Sequence, residues 1–296
     1  MVSGASGLIG SALLRAVRSE SAEVVRLMRG PRGAVPGVVF WNLKKPQTAV
    51  HPVALEDFNA VVHLAGANVG RRWTKKYREE IVSSRVASTR ALCETLAQVH
   101  RPPRVLLCAS AVGYYGNRGN EVLSEESGAG SGFLAETCHA WESATQAAEE
   151  AGIRVAHLRF GVVLHHEGGA LAKMLPMFRK GLGGTLGSGR QWMSWVSLRD
   201  AVRAILFLMD REELAGSFNV TSPNPVTNRT FTHALAHALH RPALLPVPAF
   251  PLRLAFGSMA NESVLASCRA VPRRLHEAGF TFQDGEIQST LAALLG

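Results

Sequence analysis

With 296 residues, 47% of them hydrophobic and 19% charged, the chain can form one large domain or two modest ones and is too apolar to be disordered. Its net charge of +9 suits anionic ligands, but the basic residues are dispersed and no aromatic–basic motif occurs, so a nucleic-acid partner is not expected. Four cysteines with no C-x-x-C pair argue against a disulfide framework and a zinc site, and no apolar run reaches the ~18 residues of a membrane span, so the expected setting is cytoplasmic with no membrane partner.

The chain opens on its most informative segment. Residues 3–10 read Ser-Gly-Ala-Ser-Gly-Leu-Ile-Gly, which gives Gly4, Gly7 and Gly10 the spacing of a dinucleotide-binding turn, and helix-compatible apolar residues follow at once. One glycine lets the backbone turn sharply off a strand, a second lets a pyrophosphate approach, and a third lets the helix pack close to the sheet. The helix then presents unpaired N–H groups and the positive end of its dipole to phosphate oxygens. Only Met1 and Val2 precede the turn, so the first strand is very short or begins upstream.

Apolar strand-type runs then alternate with helical stretches. Strands are predicted at Val24–Met28, Ala60–Leu64, Val105–Ala109 and Val155–Phe160, and helices at Glu79–Val99 and Phe133–Glu150. This alternation implies a parallel sheet covered on both faces, an α/β Rossmann-type doubly wound fold. After Val163 glycines and prolines become frequent, which reads as a smaller, loop-rich C-terminal lobe. The expected division is 1–163 for the NADP(H)-binding domain and 164–296 for the substrate-side lobe.

The second strand bears on cofactor choice. An acid at its end would accept from the ribose 2′-hydroxyl of NAD, whereas an arginine accommodates the 2′-phosphate of NADP. No Asp or Glu occurs from Val24 through Val38, and the strand runs into Met28-Arg29-Gly30 with Arg32 close behind, so NADP(H) is the expected cofactor.

Together with SGASGLIG, the stretches VVHLAGANV (61–69), SAVGYYG (110–116), LRFGVVL (158–164), the run from Lys173 to Val196 and FNVTSPNPVTN (218–228) resemble the extended short-chain dehydrogenases/reductases, and within them the atypical YfcH-like "epimerase family protein" branch. The resemblance spans essentially the whole chain and implies a closing domain of unknown function at about 245–293. It also implies a cofactor site in which Gly4, Ser6, Gly7, Leu8, Ile9 and Gly10 hold the pyrophosphate and Met28 and Arg29 border the adenosine phosphate. In the same site Leu64, Ala65 and Gly66 line the cofactor, Glu80 and Arg85 reach its ribose or phosphate, and Arg159, Gly161 and Val162 lie near the nicotinamide.

The superfamily's catalytic Y-x-x-x-K pair is missing. Counting back from Glu142, Leu134 and Cys138 occupy its two places, and none of the three tyrosines has Lys four residues on. Ser110, Tyr114 and Tyr115 remain as catalytic candidates, with Ser110 orienting a carbonyl and a tyrosine protonating its oxygen. An unassisted tyrosine with a pKa near 10 is only about 0.1% phenolate at neutral pH, a poor base but an available acid, which favours carbonyl reduction over epimerisation. The alternative is a non-catalytic, redox-reporting NADPH-binding protein. No metal is expected: His233, His237 and His240 share a helix face, but no further ligand lies nearby in sequence. Trp192 and Trp195 read either as a substrate wall or as anchors, Asp200 as a helix N-cap, and pairing of two copies through Glu79–Val99 stays open. The substrate is a small molecule of unknown identity.

Overall fold

A computed structural model describes residues 1–19, 23–30, 35–42 and 50–296. In chain order it begins with β1 (Val2–Ser3), α1 (Leu8–Ser19), β2 (Arg26–Arg29), β3 (Val38–Trp41), β4 (Ala60–His63), α2 (Lys75–Val82) and α3 (Ser88–Leu96). Next come β5 (Val105–Ala111), β6 (Val122–Leu123), α4 (Phe133–Ser143), α5 (Gln146–Glu150), β7 (Arg154–Phe160) and β8 (Val162–His165). The second lobe adds α6 (Gly169–Arg179), β9 (Trp192–Met193), β10 (Trp195–Ser197), α7 (Leu198–Asp210), β11 (Gly216–Val220), β12 (Val226–Thr227) and α8 (Asn228–Ala238). It closes with α9 (Ala249–Phe256), β13 (Arg269–Ala270), α10 (Arg273–Glu277) and α11 (Ile287–Leu295).

Among the described residues the main sheet has seven strands in the order β11-β7-β5-β4-β1-β2-β3, and every pairing in it is parallel. Parallel neighbours need crossovers, and the helices in those crossovers cover both faces. α1 packs with α7, and α3 with α5. β5 shows the consequence: Val105 to Ser110 are all buried, as a strand covered on both sides requires. β1 has only two residues, yet it pairs with β2 on one side and β4 on the other, so the short first strand occupies a central place.

Three expectations are corrected. The predicted helix at 79–99 starts at Lys75, runs to Leu96 and contains a π-helical turn at Ser83–Ala87. The sheet takes its edge strand β11 from beyond residue 163, and α7 packs against β5 and β7, so a division at 163 separates the sequence but not the fold. Asp200 is not the N-cap of α7. Ser197 holds that place and accepts from the Asp200 N–H at 3.1 Å, while the buried Asp200 carboxylate accepts from the backbone N–H groups of Gln283 and Asp284 and pairs with Arg203.

Candidate functional site

Parallel strands end on the same side, and many of the expected site residues gather there because they lie at or just after the carboxyl end of a strand. Gly4 to Gly7 follow β1, Met28 and Arg29 end β2, Leu64 to Gly66 follow β4, Ser110 ends β5, and Gly161 follows β7. This edge is where open α/β sheets bind ligands.

The glycine turn has the geometry its chemistry needs. Gly4 has φ of +69°, and a Cβ there would stand 2.6 Å from the Leu64 carbonyl carbon. Gly10 has no room for a side chain either: a Cβ would strike the Gly4 carbonyl oxygen and lie 2.9 Å from the Ala5 Cα. The Gly7 N–H donates to the Gly4 carbonyl at 2.9 Å, which closes the turn just ahead of α1, whose first N–H groups, near Leu8 and Ile9, have no partner within the helix. Ser6 and Gly7 are exposed at its tip. Arg29 is exposed and, among the described residues, has no hydrogen-bond or ion-pair partner, and Met28 beside it is also exposed. Arg32, the expected helper, lies outside the described residues.

Arg85 lies in the π-helical turn. Its guanidinium donates to the carbonyls of Ala67 at 2.9 Å and Ile81 at 3.2 Å, lies 5.0 Å from the Trp141 ring, and stands against Gly66 where a side chain would be. A π-turn inserts one residue into the helical register, a device common at functional sites, and here it carries a half-buried cation to the sheet's carboxyl edge. Glu80, one turn earlier, is exposed and pairs with Arg71 at 3.7 Å.

The catalytic candidates sit in a buried network centred on a residue to which the sequence assigned no role. Glu142 on α4 receives Arg159 in a fork, Nε to Oε1 at 2.8 Å and Nη2 to Oε2 at 2.7 Å. Ser110 donates to the same carboxylate at 2.6 Å, and Ser217 donates to it at 3.2 Å. Burial raises the Glu142 carboxyl, but the Arg159 hydrogen bonds and charge, with help from Ser110, hold it below the ordinary value, so it is an anion that can only accept. The single Ser110 proton is therefore engaged by Glu142. In this arrangement that proton is turned to Glu142 and not to a carbonyl oxygen, which differs from the role expected for Ser110.

Arg159 belongs to the same network. It is buried, its Nη1 donates to the Tyr115 hydroxyl at 2.9 Å and to the Glu125 carbonyl at 3.4 Å, and its guanidinium lies 3.6 Å from the centre of the Tyr114 ring. Its donors thus tie α4, β7 and the loop at Tyr114–Glu125 together. Tyr115 is fully buried, donates to Asn219 at 2.8 Å, and has its hydroxyl pushed up to about 12, mainly by burial. That hydroxyl is not placed to protonate a substrate. Tyr114 is half-buried, and its hydroxyl has no hydrogen-bond partner among the described residues.

Leu134 and Cys138 stand beside this loop. A Cβ on Gly113 would lie 3.5 Å from the Leu134 Cβ and 3.7 Å from the Cys138 Sγ. Cys138 is buried and its thiol is pushed up to about 12 by desolvation, so it behaves as an apolar filler. Trp195 is fully buried with its indole N–H donating to the Asn224 carbonyl, which makes it an anchor, while Trp192 is half-buried and donates to Asn120. His233, His237 and His240 are exposed on and just after α8. The signal that could have pointed to the network is an arginine within the apolar run V-A-H-L-R-F of β7, since a buried guanidinium requires an acid.

Comparison with known proteins agrees with this architecture. The model of the NAD dependent epimerase/dehydratase family matches residues 1–221, and that of a domain of unknown function, DUF1731, matches residues 247–294. An epimerase family protein of Mycobacterium bovis is 43% identical over 292 residues, covering 98% of this chain and 95% of that protein. One from Staphylococcus aureus is 33% identical and covers 100% of this chain and 98% of its own. The crystal structure of human epimerase family protein SDR39U1 with NADPH superposes with a TM-score of 0.90 at 28% identity, covering 99% of this chain and 98% of that one. The chain is therefore a member of the NAD dependent epimerase/dehydratase family, of the extended short-chain dehydrogenase/reductase type, with a DUF1731 domain near its C-terminal end.

Proposed function

We propose that this protein binds NADP(H) and reduces a small carbonyl compound. The observation that carries the reading is the pairing of a glycine turn that has no room for a side chain at Gly4 or Gly10 with an exposed Arg29 at the end of β2 that has no partner among the described residues. The turn offers backbone N–H groups to a pyrophosphate, and Arg29 offers a guanidinium to a 2′-phosphate. Gly4 to Gly10, Leu64 to Gly66 and Arg85 would hold the dinucleotide, with Gly161 and Val162 beside the nicotinamide. The human relative determined with NADPH supports the same choice.

When bound, the reduced nicotinamide supplies the hydride. Tyr114, whose hydroxyl has no partner among the described residues, gives the carbonyl oxygen its proton and regains one from water. Ser110, with its own proton on Glu142, accepts a hydrogen bond from a hydroxyl next to the reacting carbon. The substrate that fits is thus a carbonyl carrying a neighbouring hydroxyl. Leu134 and Cys138, in the places of the usual pair, supply neither the phenol nor the lysine that would ease the reverse oxidation, and the supply of NADPH sets the direction toward the alcohol.

A second reading, a cofactor-binding protein without catalysis, is favoured by one observation: the Ser110–Glu142–Arg159–Tyr115 network is complete without a substrate. Calorimetric titration with NADPH and with NADH, repeated on Arg29→Ala, tests the cofactor. Tight NADPH binding that the variant loses, with NADH weak in both, is expected, and no binding to either would end both readings. NADPH consumption with hydroxy-carbonyl compounds, abolished in Tyr114→Phe, separates catalysis from binding alone.

A further inference from the structure

The second lobe leaves a set of large apolar side chains in water. Leu244 is 82% exposed, Phe250 72% and Leu254 68%, and Met177, Leu182 and Leu245 are about half exposed or more. Backbone contacts tie them into one rim. The Leu182 N–H donates to the Met177 carbonyl at 2.9 Å, and residues 185–187 bond to Val247, two positions after Leu245. Phe250 and Leu254 lie one turn apart on α9, whose inner side is the buried Leu252. Arg72 reaches the Leu254 carbonyl at 3.5 Å, and Lys173, one turn before Met177 on α6, reaches the Gly70 carbonyl at 2.8 Å. The circuit closes on the segment that follows the cofactor-lining Gly66, at the mouth of the site.

The charge around this rim has one sign. The rim's own segments, residues 173–182 and 241–254, hold five Lys or Arg and no Asp or Glu. Arg179 and Lys180 precede Leu182, Arg241 precedes Leu244, and Arg253 lies between Phe250 and Leu254. Isolated exposed apolar residues need no explanation, but a connected set bordered by cations marks an interaction surface. A second copy of the chain meeting this face by two-fold symmetry would set cations against cations. An anionic bilayer meets both features at once, since its phosphates take the cations and its headgroup–acyl boundary takes the side chains.

We propose that this rim docks the protein on an anionic lipid surface, with Phe250 and Leu254 entering the interface and Arg179, Lys180, Arg241 and Arg253 on the lipid phosphates. The sequence expectation of no membrane partner rested on the lack of an apolar span, which a helix lying in the interface does not need. The proposal is independent of the carbonyl reading and places the mouth of the site toward the bilayer.

Flotation of the full chain with vesicles tests it. The chain should float with vesicles of equal parts phosphatidylglycerol and phosphatidylcholine, and about tenfold more weakly with phosphatidylcholine alone or at high salt. Phe250→Ser with Leu254→Ser should weaken binding to the mixed vesicles about tenfold while NADPH affinity and melting temperature stay unchanged, and Arg241→Glu with Arg253→Glu should do the same through charge. No flotation with the mixed vesicles, or flotation that neither pair of substitutions reduces, overturns the proposal. So does a dimer in sedimentation equilibrium that Phe250→Ser with Leu254→Ser turns into monomer, because the rim is then a self-contact.

Discussion

Arg159 and Glu142 illustrate how a buried pair constrains its surroundings. Their side chains are 5% and 10% exposed, so neither charge is well solvated if its partner is lost. Arg159→Ala would leave the Glu142 anion buried without its fork and should destabilise the fold by about 3–5 kcal/mol in denaturant titration. Glu142→Gln keeps a hydrogen-bond acceptor for Ser110 but strands the guanidinium, and should also cost stability. A second group acts at the carboxyl end of β4. His63 is fully buried between Ser3 and Ser88, with Trp41 edge-on, and burial lowers its pKa from 6.5 to about 4. Its contribution to stability is complete above pH 6.5, where both states are neutral. Between pH 6.5 and 4 the unfolded chain takes up a proton that the folded one refuses, so stability falls, by about 3 kcal/mol at the lower end. His157, also lowered mainly by burial, adds to the same slope. Glu142 adds a further loss as pH drops below the ordinary carboxyl range, because its folded pKa is the lower one. Urea midpoints at pH 7 and 5 should differ clearly in the native chain and less in His63→Gln.

At the scale of elements, what the sequence revealed depended on whether the cause was local. The glycine turn was legible because its sterics lie within a few residues: Gly4 needs a positive φ, and Gly10 must pass the Gly4 carbonyl. Gly10→Ala should accordingly cost about 1–3 kcal/mol of stability. Because it displaces the start of α1, it should also weaken NADPH binding by at least about tenfold in calorimetry. β5 was legible as a continuous apolar run. β11 was not, since Gly-Ser-Phe-Asn-Val lacks such a run and owes its place to β7 and to α10, whose Arg274 donates to the Ser217 and Ala215 carbonyls. The π-turn at Ser83–Ala87 leaves helical periodicity almost intact, so the sequence showed one helix and concealed the feature that delivers Arg85. The Glu142–Arg159 pair joins residues seventeen apart on different elements, and helix or strand periodicity does not report such a contact.

For the molecule as a whole, the two lobes are interleaved rather than joined end to end. The sheet's edge strand β11 makes five register pairs with β7, and its Phe218 and Val220 are fully buried. α7 adds Ala201, Ala204, Ile205 and Leu208 to the same core with no exposure at all. In return the second lobe leans on the first. β13 pairs with β6, and Glu262 accepts from the Leu134 N–H at the start of α4. A fragment of residues 1–163 would therefore expose one edge of β7 along its length and leave α1 without α7 against it. Such an edge is an aggregation site, and the lost apolar burial exceeds the margin by which domains of this size are stable. The fragment should show no cooperative thermal transition and should associate on concentration, whereas the full chain should unfold in a single step. A cooperative transition in the fragment would mean that the amino-terminal sheet is self-sufficient and that β11 and α7 are additions to a finished core.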